Sequence, residues 1–207
     1  MPLPSYLFKT SSSGNNYLSP DDTPSGVETV SKERGGVAIS DASQGLTGYI
    51  WQSKYTALTG TITLQNITSG VDYNILTGVM NVTSISFAFD SNMRPFIAYT
   101  ITTGEAYYYW YDTVTETYVT TQLPAGATYP LACHDDKRAF AVTGNKSDVL
   151  LFYLYNNIVY CRVQRERYSI DHRCATLTAG SKLKNVGMTT GLLVKLQVAD
   201  GSLVSSP

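Results

Sequence analysis

Charge is scarce in this sequence. Only 15% of its 207 residues are charged, and the net charge is −1. A chain that binds nucleic acid or an anionic membrane through its field needs a basic excess, so composition argues against both. Long apolar runs are missing too. None approaches the roughly 18 residues of a membrane-spanning helix. The start, Met1-Pro-Leu-Pro-Ser-Tyr6, lacks the basic end and apolar stretch of a secretory signal. The three cysteines, Cys133, Cys161 and Cys174, are odd in number and have no paired metal-ligand spacing. This argues against a disulfide framework and favours a reduced, cytosolic origin with small buried thiols. Neither His134 nor His172 lies near a nucleophile elbow or a Cys/His signature. Gly35-Gly36 is followed by no Gly-Lys-Ser/Thr, so no phosphate loop is read. No ten-residue stretch keeps a helical period. No catalytic residue, metal site or cofactor is expected.

What the chain does have is tyrosine, sixteen in all, with 12% aromatics. Such residues suit a pleated, half-buried surface. Tyr enrichment with little charge also suits a subunit that hides surface in an assembly. Residues 1–45 are rich in Ser, Gly, Pro and Asp without a sustained period, and read as an irregular N-terminal arm. Residues 46–207 read as an all-β domain. Thr61-Ile-Thr-Leu-Gln-Asn66 alternates with Ile62, Leu64 and Asn66 on one face, and Ser84-Ile-Ser-Phe-Ala-Phe89 with Ile85, Phe87 and Phe89 together. Val79–Val82 and Val194–Val198 are also expected as strands.

Two segments about 45 residues apart look alike. Phe87–Tyr99 runs into the aromatic strand Tyr107-Tyr-Tyr-Trp-Tyr-Asp112. Leu131–Val142 runs into Asp148-Val-Leu-Leu-Phe-Tyr-Leu-Tyr155. Each reads as strand, polar turn with Asp and Arg, strand, loop and aromatic strand. The expected fold is therefore antiparallel sheets, propeller-blade-like or β-sandwich, with blade-like repeats; the chain is short for a usual closed propeller. The sharpest local feature is a hairpin. Val149–Tyr155 and Ile158–Gln164 flank Asn156-Asn157, residues that tolerate the positive φ of a type I′ turn. That turn sets Leu154 opposite Val159, Phe152 opposite Cys161, Leu150 opposite Val163 and Asp148 opposite Arg165. The other face pairs Tyr155 with Ile158, Tyr153 with Tyr160 and Leu151 with Arg162. Both faces are largely apolar, so the hairpin should be covered on both sides.

Three clusters invite a chemical reading. His134-Asp135-Asp136 resembles a metal or acid–base group, but Asp135 holds the position of Asp90 before a turn, where Asp bonds its own backbone. Adjacent strand residues also point to opposite faces, which is poor ligation geometry. The charged stretch from Arg162 to Arg173 intersperses arginines with Glu166 and Asp171. Within it Arg162, Arg165, Arg167 and Tyr168 are the expected part of a subunit or partner contact. Alternation sets Tyr107, Tyr109 and Tyr111 on one face and Tyr108 and Trp110 on the other. One set is core and the other is a candidate binding face.

A family resemblance follows from these residues. Phe89-Asp90-x-x-x-Arg94-Pro95-x-x-Ala98-Tyr99, the strand ending Trp110-Tyr111-Asp112, and Ser147-Asp148-Val-Leu-Leu-Phe-Tyr153 running into Tyr160-x-Arg-Val-Gln-Arg-Glu-Arg-Tyr168 resemble virion proteins of short-tailed bacteriophages. The resemblance spans roughly residues 80–172 and carries no catalytic residue. It implies a tail structural protein (an adaptor, nozzle or fibre anchor), made in the host cytoplasm and located in the virion. Its partners would be other tail or portal-proximal proteins, with copies in a homo-oligomeric ring or cluster. The alternative is a carbohydrate-binding module of a receptor-binding appendage, holding host glycan on Tyr107–Tyr111. A glycan hydrolase ranks third. It would need paired carboxylates about 5–10 Å apart, and nothing pairs Asp90, Glu105, Asp112, Glu116 or Asp135.

Overall fold

The computed structural model describes residues 6–10, 16–20, 51–66, 69–90, 92, 94–134, 149–188, 194–198 and 203–205. Every regular element of length among them is a strand, and all pairing is antiparallel. Strands β1 (Tyr6–Thr10) and β2 (Asn16–Pro20) form a two-stranded hairpin. They lie within the segment read as an irregular N-terminal arm, the rest of which lies outside the described residues.

The remaining strands form four sheets, each a meander of consecutive strands. The first contains β3 (Trp51–Thr56), β4 (Thr61–Asn66) and β5 (Val71–Leu76). The second contains β6 (Val82–Phe89), β7 (Pro95–Ile101), β8 (Ala106–Asp112) and β9 (Thr117–Gln122). The third contains β10 (Thr128–His134), β11 (Val149–Tyr155), β12 (Ile158–Val163) and β13 (His172–Thr176). The fourth contains β14 (Leu183–Met188), β15 (Val194–Val198) and β16 (Leu203–Ser205). The expected strand at Val79–Val82 begins only at Val82. Gly78 (φ 75°) and Asn81 (φ 59°) break the extended backbone before it.

The sheets stack face to face, with the opening strands of successive sheets side by side: β3 by β6, β6 by β10, β10 by β14. Three apolar interlayers hold them. Ile62 and Leu64 of the first sheet pack with Ile85, Phe87, Ile97 and Tyr99 of the second. The second sheet turns Phe96, Ala98, Tyr108 and Trp110 toward Val149, Leu151 and Tyr153 of the third. The third turns Leu150, Phe152 and Cys161 toward Leu183, Leu196 and Val198 of the fourth. The first sheet's outer face is polar, with Gln52, Gln65 and Asp72 in one row and Lys54, Thr63 and Asn74 in the next. Lys184 is exposed on the fourth. The described strands form no closed barrel, so the architecture is sandwich-like.

The β11–β12 hairpin has the register its turn dictates, from Leu150 opposite Val163 to Tyr155 opposite Ile158. Asn156 and Asn157 take φ of 49° and 61°, as a type I′ turn requires. Its two apolar faces belong to two different interlayers. The look-alike segments differ in one respect. β10 pairs directly with β11, so the aromatic strand 149–155 is second in its sheet, whereas 106–112 is third. The turn at Asp135, Asp136 and Arg138, the expected strand at 139–142 and the Asp148–Arg165 pair lie outside the described residues.

Candidate functional site

The second sheet carries the Tyr107, Tyr109 and Tyr111 cluster on one face and meets the Arg162–Tyr168 cluster of the third sheet at the other. In β8, burial alternates strictly: Ala106, Tyr108, Trp110 and Asp112 are buried, while Tyr107, Tyr109 and Tyr111 are partly exposed. Period-two geometry makes this inevitable once one face is covered.

On the buried face, the β12–β13 connection interlocks the second and third sheets. A single 3-10 turn, Gln164–Glu166, leads into Arg167 and Tyr168, both left-handed at φ 54° and 55°. That conformation is unfavourable for residues with a Cβ, so the surroundings must impose it. The Tyr168 ring is buried, 5.0 Å from Phe96, 5.1 Å from Trp110 and 5.5 Å from Tyr108. Arg167 Nη2 donates to Asp112 Oδ2 at 2.5 Å, and the Val114 N–H donates to Asp112 Oδ1 at 3.0 Å. Burial alone would raise the Asp112 pKa. Hydrogen bonds from Val114, Arg167 and Thr115 outweigh it and hold the carboxyl below its ordinary value.

Asp90 closes the same corner. Its Oδ1 accepts the N–H groups of Asn92 (2.8 Å) and Arg94 (2.9 Å), the turn-forming role read from sequence. Gln164 joins the sheets by donating to Asp90 Oδ2 (3.3 Å) and accepting the Val149 N–H (3.0 Å). Beside it, Arg162 makes a two-pronged pair with Asp171, Nε to Oδ1 at 2.5 Å and Nη2 to Oδ2 at 3.1 Å. The Tyr153 hydroxyl donates to Asp171 Oδ1 at 2.5 Å. The bond from Arg162 is the main cause of a lowered Asp171 pKa. Burial, then the bond to Asp171, raises that of Tyr153.

The four residues expected at a partner contact therefore have different fates. Tyr168 is a core plug, removed from any outward surface by packing against three aromatic rings. Arg162 is mostly enclosed in its pair with Asp171. Arg167 is half exposed while bound to Asp112, and Arg165 is exposed. Sequence reasoning missed Asp112 as the partner of Arg167, Asp171 as the partner of Arg162, and Gln164 as the partner of Asp90. The bonds from Asp112 to Arg167 and from Asp90 to Gln164 cross 55 and 74 residues, and no local pattern reports such distances.

The opposite face of β8 forms a tyrosine ladder. Tyr99 and Tyr107 stack at 5.4 Å, and Tyr109 and Tyr118 at 4.8 Å with rings 6° from parallel. Tyr111 meets Tyr118 edge-on at 5.1 Å, and the Arg94 guanidinium lies 3.9 Å above the Tyr111 ring. Tyr118 was not singled out from sequence, although alternation along β9 puts it beside Tyr111. Burial raises the pKa of Tyr99 to about 12 and lifts those of Tyr109 and Tyr118. This face offers ring planes, hydroxyls and one guanidinium.

A shallow cavity of about 350 Å³ lies where β6, β10 and β14 meet, lined by Ser84, Ser86, Thr100, Tyr129, Leu131 and Lys182 among others. Several of its hydroxyls serve the fold: Ser84 and Thr83 bond Thr100, and Ser86 Oγ accepts the Ala132 N–H at 2.9 Å. Among the described residues, no cluster of His, Cys, Asp or Glu could hold a metal, and no helix is long and apolar enough to cross a membrane. His172 pairs with Glu166 at 2.5 Å. In comparisons with known proteins, no family model and no curated sequence matches the chain.

Proposed function

We propose that this chain is a structural component of a bacteriophage tail, an adaptor, nozzle or fibre-anchoring subunit acting through protein–protein contacts. One observation carries the reading. The motif residues that resemble short-tailed phage virion proteins brace one end of the second sheet, most of them in the clasp to the third sheet and Arg94 with Tyr111 on the opposite face. Asp90 caps the turn to Arg94, Arg94 covers Tyr111, Asp112 holds Arg167, and Tyr168 fills the cage of Phe96, Tyr108 and Trp110. The chemistry of these groups is engaged in bracing layers together, which suits a part that bears load rather than one that turns over substrate. On this reading the chain is not an enzyme, and it is made in the host cytoplasm and resides in the virion tail. Its partners are tail and portal-proximal proteins and further copies of itself.

A second reading, a glycan-binding module, is favoured by the half-exposed tyrosines on β8 and β9, because flat aromatic faces stack on sugar rings. Mass spectrometry of gradient-purified particles from the source lysate tests the first reading. A small fixed copy number relative to the major capsid protein is expected. Absence from particles overturns it and leaves a glycan-array screen, with Tyr109→Ala and Tyr118→Ala as controls, to decide the second.

A further inference from the structure

Among the described residues the first sheet, like the fourth, has three strands, one fewer than the second sheet it packs on, and it ends at β5. On the third-sheet side, cover reaches out to β9, where Val119 packs at the margin of the interlayer. On the first-sheet side it stops sooner. Tyr107 and Tyr109 lie at the margin of that core, and Tyr118 of β9 is 37% exposed. β5 itself is an uncovered edge, with Val71 44% and Tyr73 47% exposed. An open edge bearing apolar side chains is a template for another strand. A strand added beside β5 would lie over β9 and cover the tyrosine ladder.

The chain also contains a strand pair in need of a sheet. Among the described strands β1 and β2 pair only with each other and neither pairs with β5, and an isolated two-stranded hairpin is at best marginally stable in water. We propose that the β1–β2 hairpin of a second copy adds to the β5 edge, extending the first sheet and burying Val71, Tyr73 and the ladder from Tyr109 to Tyr118. Main-chain bonds to the edge supply affinity, and alternate side chains set the register. Because each copy has both the hairpin and the open edge, the exchange can be reciprocal in a dimer or run head-to-tail around a ring. This deepens the assembly reading above by naming the surface through which copies join.

The test uses the full chain. Sedimentation velocity at micromolar concentration is combined with amine cross-linking of a mixture of ¹⁴N- and ¹⁵N-labelled protein. The diagnostic product joins Lys9 of β1 to Lys54 of the first sheet. An oligomer whose Lys9–Lys54 product is of mixed isotope, and which a Val71→Lys/Tyr73→Lys variant converts to monomer with an unchanged circular dichroism spectrum, is the expected result. If that variant fails to fold, Thr120→Lys on β9 provides the second probe, with the same loss of oligomer expected. A monomer, a Lys9–Lys54 product confined to single-isotope copies, or an oligomer indifferent to the folded variants overturns the proposal. So does a Tyr118 that stays open to glycan in the oligomer. Particle content tests the tail reading separately, so the two can fail independently.

Discussion

Tyr168→Ala tests the clasp most directly. The ring is 2% exposed and touches three aromatic side chains. Removing such a side chain from a packed core costs about 3–5 kcal/mol through lost burial and the cavity left behind. The left-handed backbone at φ 55° does not change this figure, because tyrosine and alanine both carry a Cβ and bear the same conformational cost. Urea denaturation followed by tryptophan fluorescence suits the measurement, because Trp110 lies 5.1 Å from the missing ring. With a slope of about 2 kcal/mol per molar urea, the midpoint should fall by about 1.5–2.5 M. Arg165→Ala, three residues away and exposed, should cost no more than about 1 kcal/mol, the most that an exposed charge contact is ordinarily worth. A loss below about 1 kcal/mol for Tyr168→Ala, or equal losses for both variants, would refute the assignment of Tyr168 to the core.

Acid should weaken the same region. Asp112 and Asp171 both have lowered folded-state pKa values, so they bind protons less readily folded than unfolded. Their contribution is complete above the ordinary carboxylate range and is lost as pH falls through the folded values, so stability should be level from pH 7 to about 5 and drop below about 4. Asp112→Asn should lower the neutral-pH midpoint and flatten that acid limb, checked by thermal melts across pH. At Gly60, φ is +62° and an added Cβ would lie 2.7 Å from the Val79 carbonyl oxygen. Gly60→Ala should cost about 1–3 kcal/mol beyond Gly70→Ala, which shares the positive φ but has open space around it. Thiol labelling offers a further check. The hydrogen bond with Cys174, then burial, raises the Cys161 pKa, so with little thiolate present it should react with Ellman's reagent only on unfolding.

Local chemistry alone determined a good deal of this protein. Asn156-Asn157 set the turn, and the turn set every described pair of the β11–β12 ladder. Period-two alternation put Tyr107, Tyr109 and Tyr111 together, and Asp90 was legible as a turn former because its bonds reach only two and four residues along the chain. These features depend on backbone geometry within a few residues, which side-chain identity controls directly. Only the tertiary structure decided which face of β8 is core, because that depends on the strand count of the sheets above and below. It also turned Tyr168 inward. Arg and Tyr carry no mark of a left-handed backbone as glycine does, and the pull comes from Phe96, Tyr108, Trp110 and Asp112 on another sheet. Sequence reading thus singled out residues of the clasp, but it set Tyr168 on a contact surface where the structure buries its ring. A pair such as Asp112–Arg167 exists only after two sheets have packed, and the physical forces that pack them act across the whole core.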